Sequence, residues 1–265
     1  MPGSSSESLV NRPVSARTVF HRRRGLPPRT NNSLRRTYDL LRSHLHHAGQ
    51  TGTPFVEAEL MESLSSSRNT VRAALQLLAN EGLVTRRPKH GTTSRGSTVL
   101  PFNDLLSVHD KQVGYRMHDE CLATTIITAP ELLRSWLSLD AGASIAVIER
   151  LMVQDTSVVG LSVSYVPITA DQHANVGATC KDVIAFLEED LGVSIGECGT
   201  IVSAAACDPE TAKLLEVPEG APIIWLEDLI QDADGRIRAI HQLRYRGDRV
   251  AFSAIARRGS LQYAG

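Results

Sequence analysis

The stretch that decides the fold is Ser63–Ser94, "SLSSSRNTVRAALQLLANEGLVTRRPKHGTTS". Ser67 suits a helix N-cap, because a serine hydroxyl accepts from backbone N–H groups that the first helical turn leaves open. From there the spacing predicts a helix over Arg68–Asn80. Val71, Ala74, Leu75 and Leu78 recur at i, i+3, i+4 and i+7, a single apolar stripe, while Arg68, Asn69, Arg72 and Gln76 fall on the opposite side. Gly82 stands where a helix end wants a left-handed residue. Leu83–Arg87 and Thr92–Gly96, around "PKHG", then read as a small β-hairpin.

Working outward, Leu34, Tyr38, Leu41 and Leu45 mark one face of a helix running from Asn32 to near Gly49. A shorter helix fits Val56–Leu64, with Leu60 and Leu64 on one face. Three short helices followed by a hairpin make a winged helix-turn-helix over residues 31–96. In that arrangement the apolar stripe ties the third helix to its own domain and the other face carries donors into a major groove. An arginine's rigid fork can engage guanine O6 and N7 together, which is why Arg68 and Arg72 near the leading end matter. The hairpin would place Lys89, His90 and backbone amides beside phosphates or in the minor groove.

The charge distribution agrees. The 265-residue chain has a formal net charge of −1, yet residues 1–96 hold 15 Lys and Arg against 6 Asp and Glu, and residues 97–265 hold 13 against 23. A basic third joined to an acidic remainder suggests that one part meets a polyanion and the other does not. Residues 1–30 are polar, Pro-bearing and basic, and are expected to be a disordered tail; nine of the 15 cations nevertheless lie beyond it, from Arg35 onward. No stretch approaches the ~18 unbroken apolar residues of a membrane span. The first 25 residues lack an apolar signal core, and a cytoplasmic location is expected. Cys121, Cys180, Cys198 and Cys207 are scattered without CxxC spacing and read as buried thiols in a reducing compartment, an accidental pair being the alternative. In "HLHH", His44 and His47 could share a face, but solvated histidines at a helix C-terminus explain them without a metal site.

These residues resemble the DNA-binding domain of GntR-type bacterial transcription regulators, whose signature reads Ser-Arg-x-Thr-Val-Arg-x-Ala, then Leu-x-x-Glu-Gly-Leu-Val and a basic wing with Gly-Thr. The resemblance covers about residues 34–96 and implies operator contacts at Arg68, Asn69, Thr70, Arg72, His90 and Gly91. Two departures bear on operator sequence. The family's Pro-Ser-Glu-Arg opening of the second helix reads "FVEAE", so Ala58 replaces a DNA-contacting arginine, and Lys89 stands in the wing turn where glycine is common.

After a polar linker over residues 97–110, the second domain (111–265) contains a duplication. "LSLDAGASIAVIERL" (137–151) and "LEVPEGAPIIWLEDL" (215–229) superpose at an offset of 78, as from Leu137 to Leu215. Each unit reads as a helix, a Gly-containing turn and an alternating strand, with a further strand behind it, "LSVSYVP" or "RIRAIHQLRYR". Strands paired through hairpins with helices outside predict an α+β domain around an antiparallel sheet, whose two halves can enclose a cleft.

The order of elements and the ending "DGRIRAIHQLRYRGDRVAF" resemble the effector-binding UTRA domain of the HutC branch of these regulators. That implies a chorismate-lyase-like fold, a homodimer and a small-molecule effector. Family members that bind phosphosugars use a serine before the first helix, two arginines in the first strand, a Ser-x-Tyr turn, and a Glu and a Tyr on the last strands. Here these positions fall on Ser107, on Arg150 with Met152, on Asp182 with Ile184, and on Ala239 and Tyr245. A phosphate wants several donors and no nearby carboxylate, so the effector is not expected to be a sugar phosphate. Alternation along the last strand sets His241 on the face of Ala239, Leu243 and Tyr245. Tyr245 could equally be core, Arg150 the partner of a carboxylate and Asp182 a helix N-cap.

The expectation is therefore a dimeric, cofactor-free repressor of a palindromic DNA operator, controlled by a small molecule bound near Ser107, Arg150, Asp182, His241 and Tyr245. The rival readings are a constitutive repressor of plasmid or mobile-element type with a vestigial pocket, and a lyase-like enzyme. No nucleophile–base pair, metal spacing or phosphate loop supports the latter.

Overall fold

The structure is a computed structural model. It describes residues 33–48, 52–87, 91–96, 98–102, 117–176 and 182–255. Lys89, His90 and Ser107, the side chains of His46 and His47, and the basic tail lie outside the described residues.

The N-terminal unit is built from α1 (Ser33–Ala48), β1 (Pro54–Phe55), α2 (Glu57–Ser63), α3 (Arg68–Asn80), β2 (Val84–Arg87) and β3 (Gly91–Ser94). The Ser67 hydroxyl accepts the Thr70 N–H at 3.2 Å and starts α3 where the sequence placed its cap. Val71, Ala74, Leu75 and Leu78 are fully buried against Tyr38, Leu41 and Leu45 of α1. Gly82 turns the chain with φ +77° into the hairpin. That hairpin gains a strand the sequence did not announce: β1, two residues long, pairs with β3 through Pro54–Thr93 and Phe55–Thr92. Tyr38 and Arg42 of α1 both reach Glu81 at the end of α3, a second tie between the two helices.

The span expected to be a linker contains a strand. β4 (Thr98–Pro101) pairs in parallel with β11 (Val250–Ser253), and Leu100 is fully buried. Its partner lies far along the chain, so no local pattern could reveal the pairing.

The rest is a six-stranded antiparallel sheet in the order β5-β6-β7-β10-β9-β8. It is the duplication made solid. β5 (Met117–Thr128), α4 (Glu131–Leu137), β6 (Ser144–Gln154) and β7 (Ser157–Ile168) form one half; β8 (Ile195–Ala206), α7 (Pro209–Leu214), β9 (Pro222–Asp232) and β10 (Ile237–Arg246) form the other. The backbone repeats in detail: Ser138 and Glu216 end the equivalent helices left-handed at φ +52° and +54°, and Gly142 and Gly220 follow at +82° and +76°. The halves meet where β7 pairs with β10, from Tyr165–Ile240 to Gly160–Tyr245. Gly160 is closely packed there: a Cβ would stand 2.5 Å from the Met152 Cε, which would have to turn aside, and 3.0 Å from the Tyr245 ring.

One face of the sheet packs beneath α4 and α7. The other is covered at one end by α5 (His173–Val176) and α6 (Val183–Ala185), which continues as a π-helical turn over Phe186–Asp190. At its other end β4 and β11 close over Met152, Leu226, Leu243 and Tyr245.

Because Leu75 has no exposed surface, Leu75→Ala should cost the N-terminal unit about 2–5 kcal/mol, while loss of the cap in Ser67→Ala should cost only about 1 kcal/mol. Chemical denaturation of the full chain measures both.

Candidate nucleic-acid interface and effector site

Anchored by its buried stripe, α3 turns Arg68, Asn69, Arg72 and Gln76 outward, all exposed, with Thr70 half-buried beside the cap. Gly91 opens β3 at φ +85° and is exposed, with nothing within 4 Å of a Cβ placed there. The expected base-reading arginine is not isolated. The Arg72 Nε donates to both carboxylate oxygens of Glu57, at 2.8 and 3.0 Å. From β2, Arg86 donates to the Gln76 side chain at 3.0 Å and to the Arg72 carbonyl, and sits 4.0 Å from the same carboxylate. Glu57 was not among the sequence candidates, since only the fold brings α2 against α3. By engaging Nε alone it fixes the Arg72 stem and leaves the two terminal nitrogens for a base edge, the geometry bidentate guanine reading needs.

In the C-terminal domain, Arg150, His241 and Tyr245 come onto one sheet face. Arg150 pairs with Ser162, which pairs with Leu243, which pairs with Leu226. His241 stands two residues from Leu243 on that face and its Nδ1 lies 2.8 Å from the Ser164 hydroxyl. Arg150, His241 and Tyr245 are 2%, 2% and 3% exposed. Burial, then Asp228 and Asp119, pushes the Tyr245 phenol well above its ordinary value, so it stays a neutral donor. Asp228 was also not foreseen: it is 6% exposed and accepts the Thr200 hydroxyl at 2.6 Å. Its signal was present in the duplication, where it occupies the position of Arg150.

Asp182 has another task. Its carboxylate accepts the Ala185 N–H at 2.9 Å and caps α6, whose Val183 packs against the same face. Among the described residues no group of three His, Cys, Asp or Glu is placed to hold a metal ion, and no helix is long and apolar enough to cross a membrane. His44 meets Phe55 edge-on, with centroids 6.4 Å apart.

Comparison with known proteins fits both units. Residues 34–93 match the bacterial regulatory proteins of the gntR family, and residues 112–251 match the UTRA domain. The chain is 29% identical over 210 residues to the HTH-type transcriptional repressor PhnF of Mycolicibacterium smegmatis, covering 77% of this chain and 84% of that one. It is 25% identical over 199 residues to the repressor NagR of Bacillus subtilis, covering 74% and 82%. The crystal structure of PhnF from Mycobacterium smegmatis aligns with a TM-score of 0.57 and 26% identity over 84% of this chain and 99% of that one. Fold and sites thus define a DNA-binding regulator with a ligand-binding effector domain. The chain belongs to the GntR family of transcription regulators, in its UTRA-bearing HutC branch.

Two outcomes follow. Arg72→Ala should lose about 1–3 kcal/mol of operator affinity. Glu57→Gln should lower the ratio of operator to random-duplex binding about tenfold while random-duplex binding itself strengthens, because a carboxylate that repels phosphates is gone. Parallel gel-shift titrations read both.

In the effector domain, burial, then Asp228, pushes the Cys198 thiol up to about 11 against an opposing Thr200 hydrogen bond, whereas Cys121 is exposed. At pH 8 the Cys198 thiolate is a fraction of roughly one in a thousand, so iodoacetamide should alkylate Cys121 at least tenfold faster, read by peptide mass spectrometry.

Proposed function

We propose that the chain is a cytoplasmic repressor that binds a palindromic operator as a homodimer and is released from it by a small effector held in the C-terminal domain. The observation that carries the reading is the carboxylate-held Arg72 on the outer face of an α3 whose inner face is fully buried. Asn69, Thr70 and Arg68 accompany it at the leading end of the helix, and Lys89, His90 and Gly91 belong to the wing that would follow the backbone.

Dimerisation is supported by the edges of the sheet. β5 and β8, each of 12 residues, end the sheet on opposite sides and expose Leu122, Ile126 and Ile127 on one and Ile201 and Val202 on the other. Long apolar edges of this kind call for a partner strand. A twofold dimer would set two copies of α3 about one DNA turn apart. The repressor sense is that of PhnF and NagR, which are named as repressors.

The effector is read as binding the arrangement that leaves DNA, which shifts the population away from it. Arg150, His241 and Tyr245 would line its site, with Ser107 before the first strand of the sheet and Asp182 at the cap of α6. A sugar phosphate is disfavoured, since Met152 replaces a donor and Asp119 stands 3.9 Å from Arg150. No catalytic step belongs to this reading.

Footprinting of the full chain on genomic fragments should give a twofold-symmetric protected site whose protection needs about ten- to a hundredfold more protein in Arg72→Ala. An asymmetric site, or protection unchanged by that substitution, would overturn the docking. Turnover of an aromatic acid by the chain would instead favour the lyase-like alternative.

A further inference from the structure

The duplication leaves one conspicuous mismatch between its halves. Arg150 on β6 and Asp228 on β9 are 78 residues apart, so they hold the same place in the two repeats. Both lie on the same sheet face, Arg150 in the row that ends on Leu226 and Asp228 two residues further along that strand. About the β7–β10 junction the face is therefore matched in backbone and opposite in charge.

The cationic side is incomplete. The Arg150 Nη1 is 3.9 Å from Asp119, but its Nε and Nη2 meet no hydrogen-bond partner among the described residues, although the side chain is 2% exposed. Those two N–H groups run parallel along one edge of the guanidinium, the edge that grips a planar carboxylate with two bonds. A buried cation left this way is costly, and packing alone does not ask for it: the neighbouring Met152 fills the same face without charge. The anionic side is shaped differently. Asp228 accepts from Thr200 at 2.6 Å and pairs across the ladder with His241, itself 2.8 Å from Ser164. A carboxylate there favours an N–H donor and repels a second anion.

We propose that the effector is a compact zwitterionic acid, a monocarboxylate whose far end carries an amino or similar N–H group. Its carboxylate engages the Nε–Nη2 edge of Arg150 and its N–H end points to Asp228. This rests on the reading of the C-terminal domain as effector-binding. β6 and β9 are three strand spacings apart, ~14 Å between backbones, so a ligand that meets both side chains is a short chain rather than a large ring system. A phosphate ester fits poorly, since its second negative charge would face Asp119 beside the only buried guanidinium on this part of the face among the described residues.

The test is thermal unfolding of the full chain with the ω-amino acids from β-alanine to 6-aminohexanoate, the straight-chain carboxylates of equal length, and glucose 6-phosphate. At least one ω-amino acid should raise Tm saturably, with an apparent Kd at least tenfold below that of its unaminated counterpart; glucose 6-phosphate should not act. Arg150→Met should raise the Tm of the ligand-free protein and abolish the response. Asp228→Asn should keep the carboxylate response and erase the preference for the amino form. A ligand-free Tm lowered by Arg150→Met would show that the guanidinium serves the fold and would overturn the proposal, as would an amino preference untouched by Asp228→Asn. Stabilisation by glucose 6-phosphate alone, or by none of the probes, also overturns the ligand class. A small-molecule cell extract that shifts operator affinity would support effector binding whatever the ligand class, and an extract without effect would count against effector binding itself.

Discussion

The structure depends on the ladder between β7 and β10. Each half of the C-terminal domain has three strands, with its last strand buried in the middle of the final sheet, and neither half could leave that strand's hydrogen-bonding edge and two apolar faces open to water. The pairing of Gly160–Tyr165 with Ile240–Tyr245 removes both liabilities at once. It also fixes what remains outside: β5 and β8 become the edges, α4 and α7 take one face, and the opposite face is left for α5, α6 and the β4–β11 pair. The apolar edges and the buried polar row are both consequences of joining two copies this way.

The N-terminal unit rests on a smaller device of the same kind. A helix that must show cations to a polyanion cannot be held by its outer face, so all of its purchase is inward, through Val71, Ala74, Leu75 and Leu78. Position along the groove is then a matter of side-chain order. Arg72 would sample many rotamers in water, and Glu57 holds its stem while Arg86 of the hairpin bonds to its backbone carbonyl. Discrimination between base pairs improves when the reading group loses little entropy on contact.

Much of this was legible in the chain. α3, its cap and its left-handed exit are local: serine chemistry, a 3.6-residue period and one glycine suffice. The repeat was legible because both copies kept their glycines and alternation. What escaped depends on distant partners. β1 is too short to carry a pattern, and β4 pairs with a segment about 150 residues away. Glu57 and Asp228 are ordinary carboxylates until the fold sets one against Arg72 and the other opposite Arg150. Arg150 and Tyr245 were named through the resemblance to UTRA domains, and alternation along the last strand added His241 to the face of Tyr245. Asp182 could not be assigned between pocket and cap by sequence, and the structure gives its carboxylate to the helix.

The chain itself connects the DNA-facing unit to the candidate effector face. The chain leaves the hairpin after Ser94 and enters β4, whose Leu100 is fully buried with Met152, Leu243 and Tyr245 on the polar row's own face. Thr98 ties that strand to the effector domain twice, through its amide to the Arg249 carbonyl at 2.7 Å and its hydroxyl to the Gln154 side chain at 2.5 Å. Arg87 and Gly91 of the hairpin and Asp155 and Thr156 of the β6–β7 turn line one crevice of about 500 Å³. Repacking of Tyr245 and Met152 would bear directly on β4, because Leu100 is buried against them. Because β4 follows the hairpin in the chain, a displacement of β4 would be passed to the hairpin, the element placed to meet phosphates.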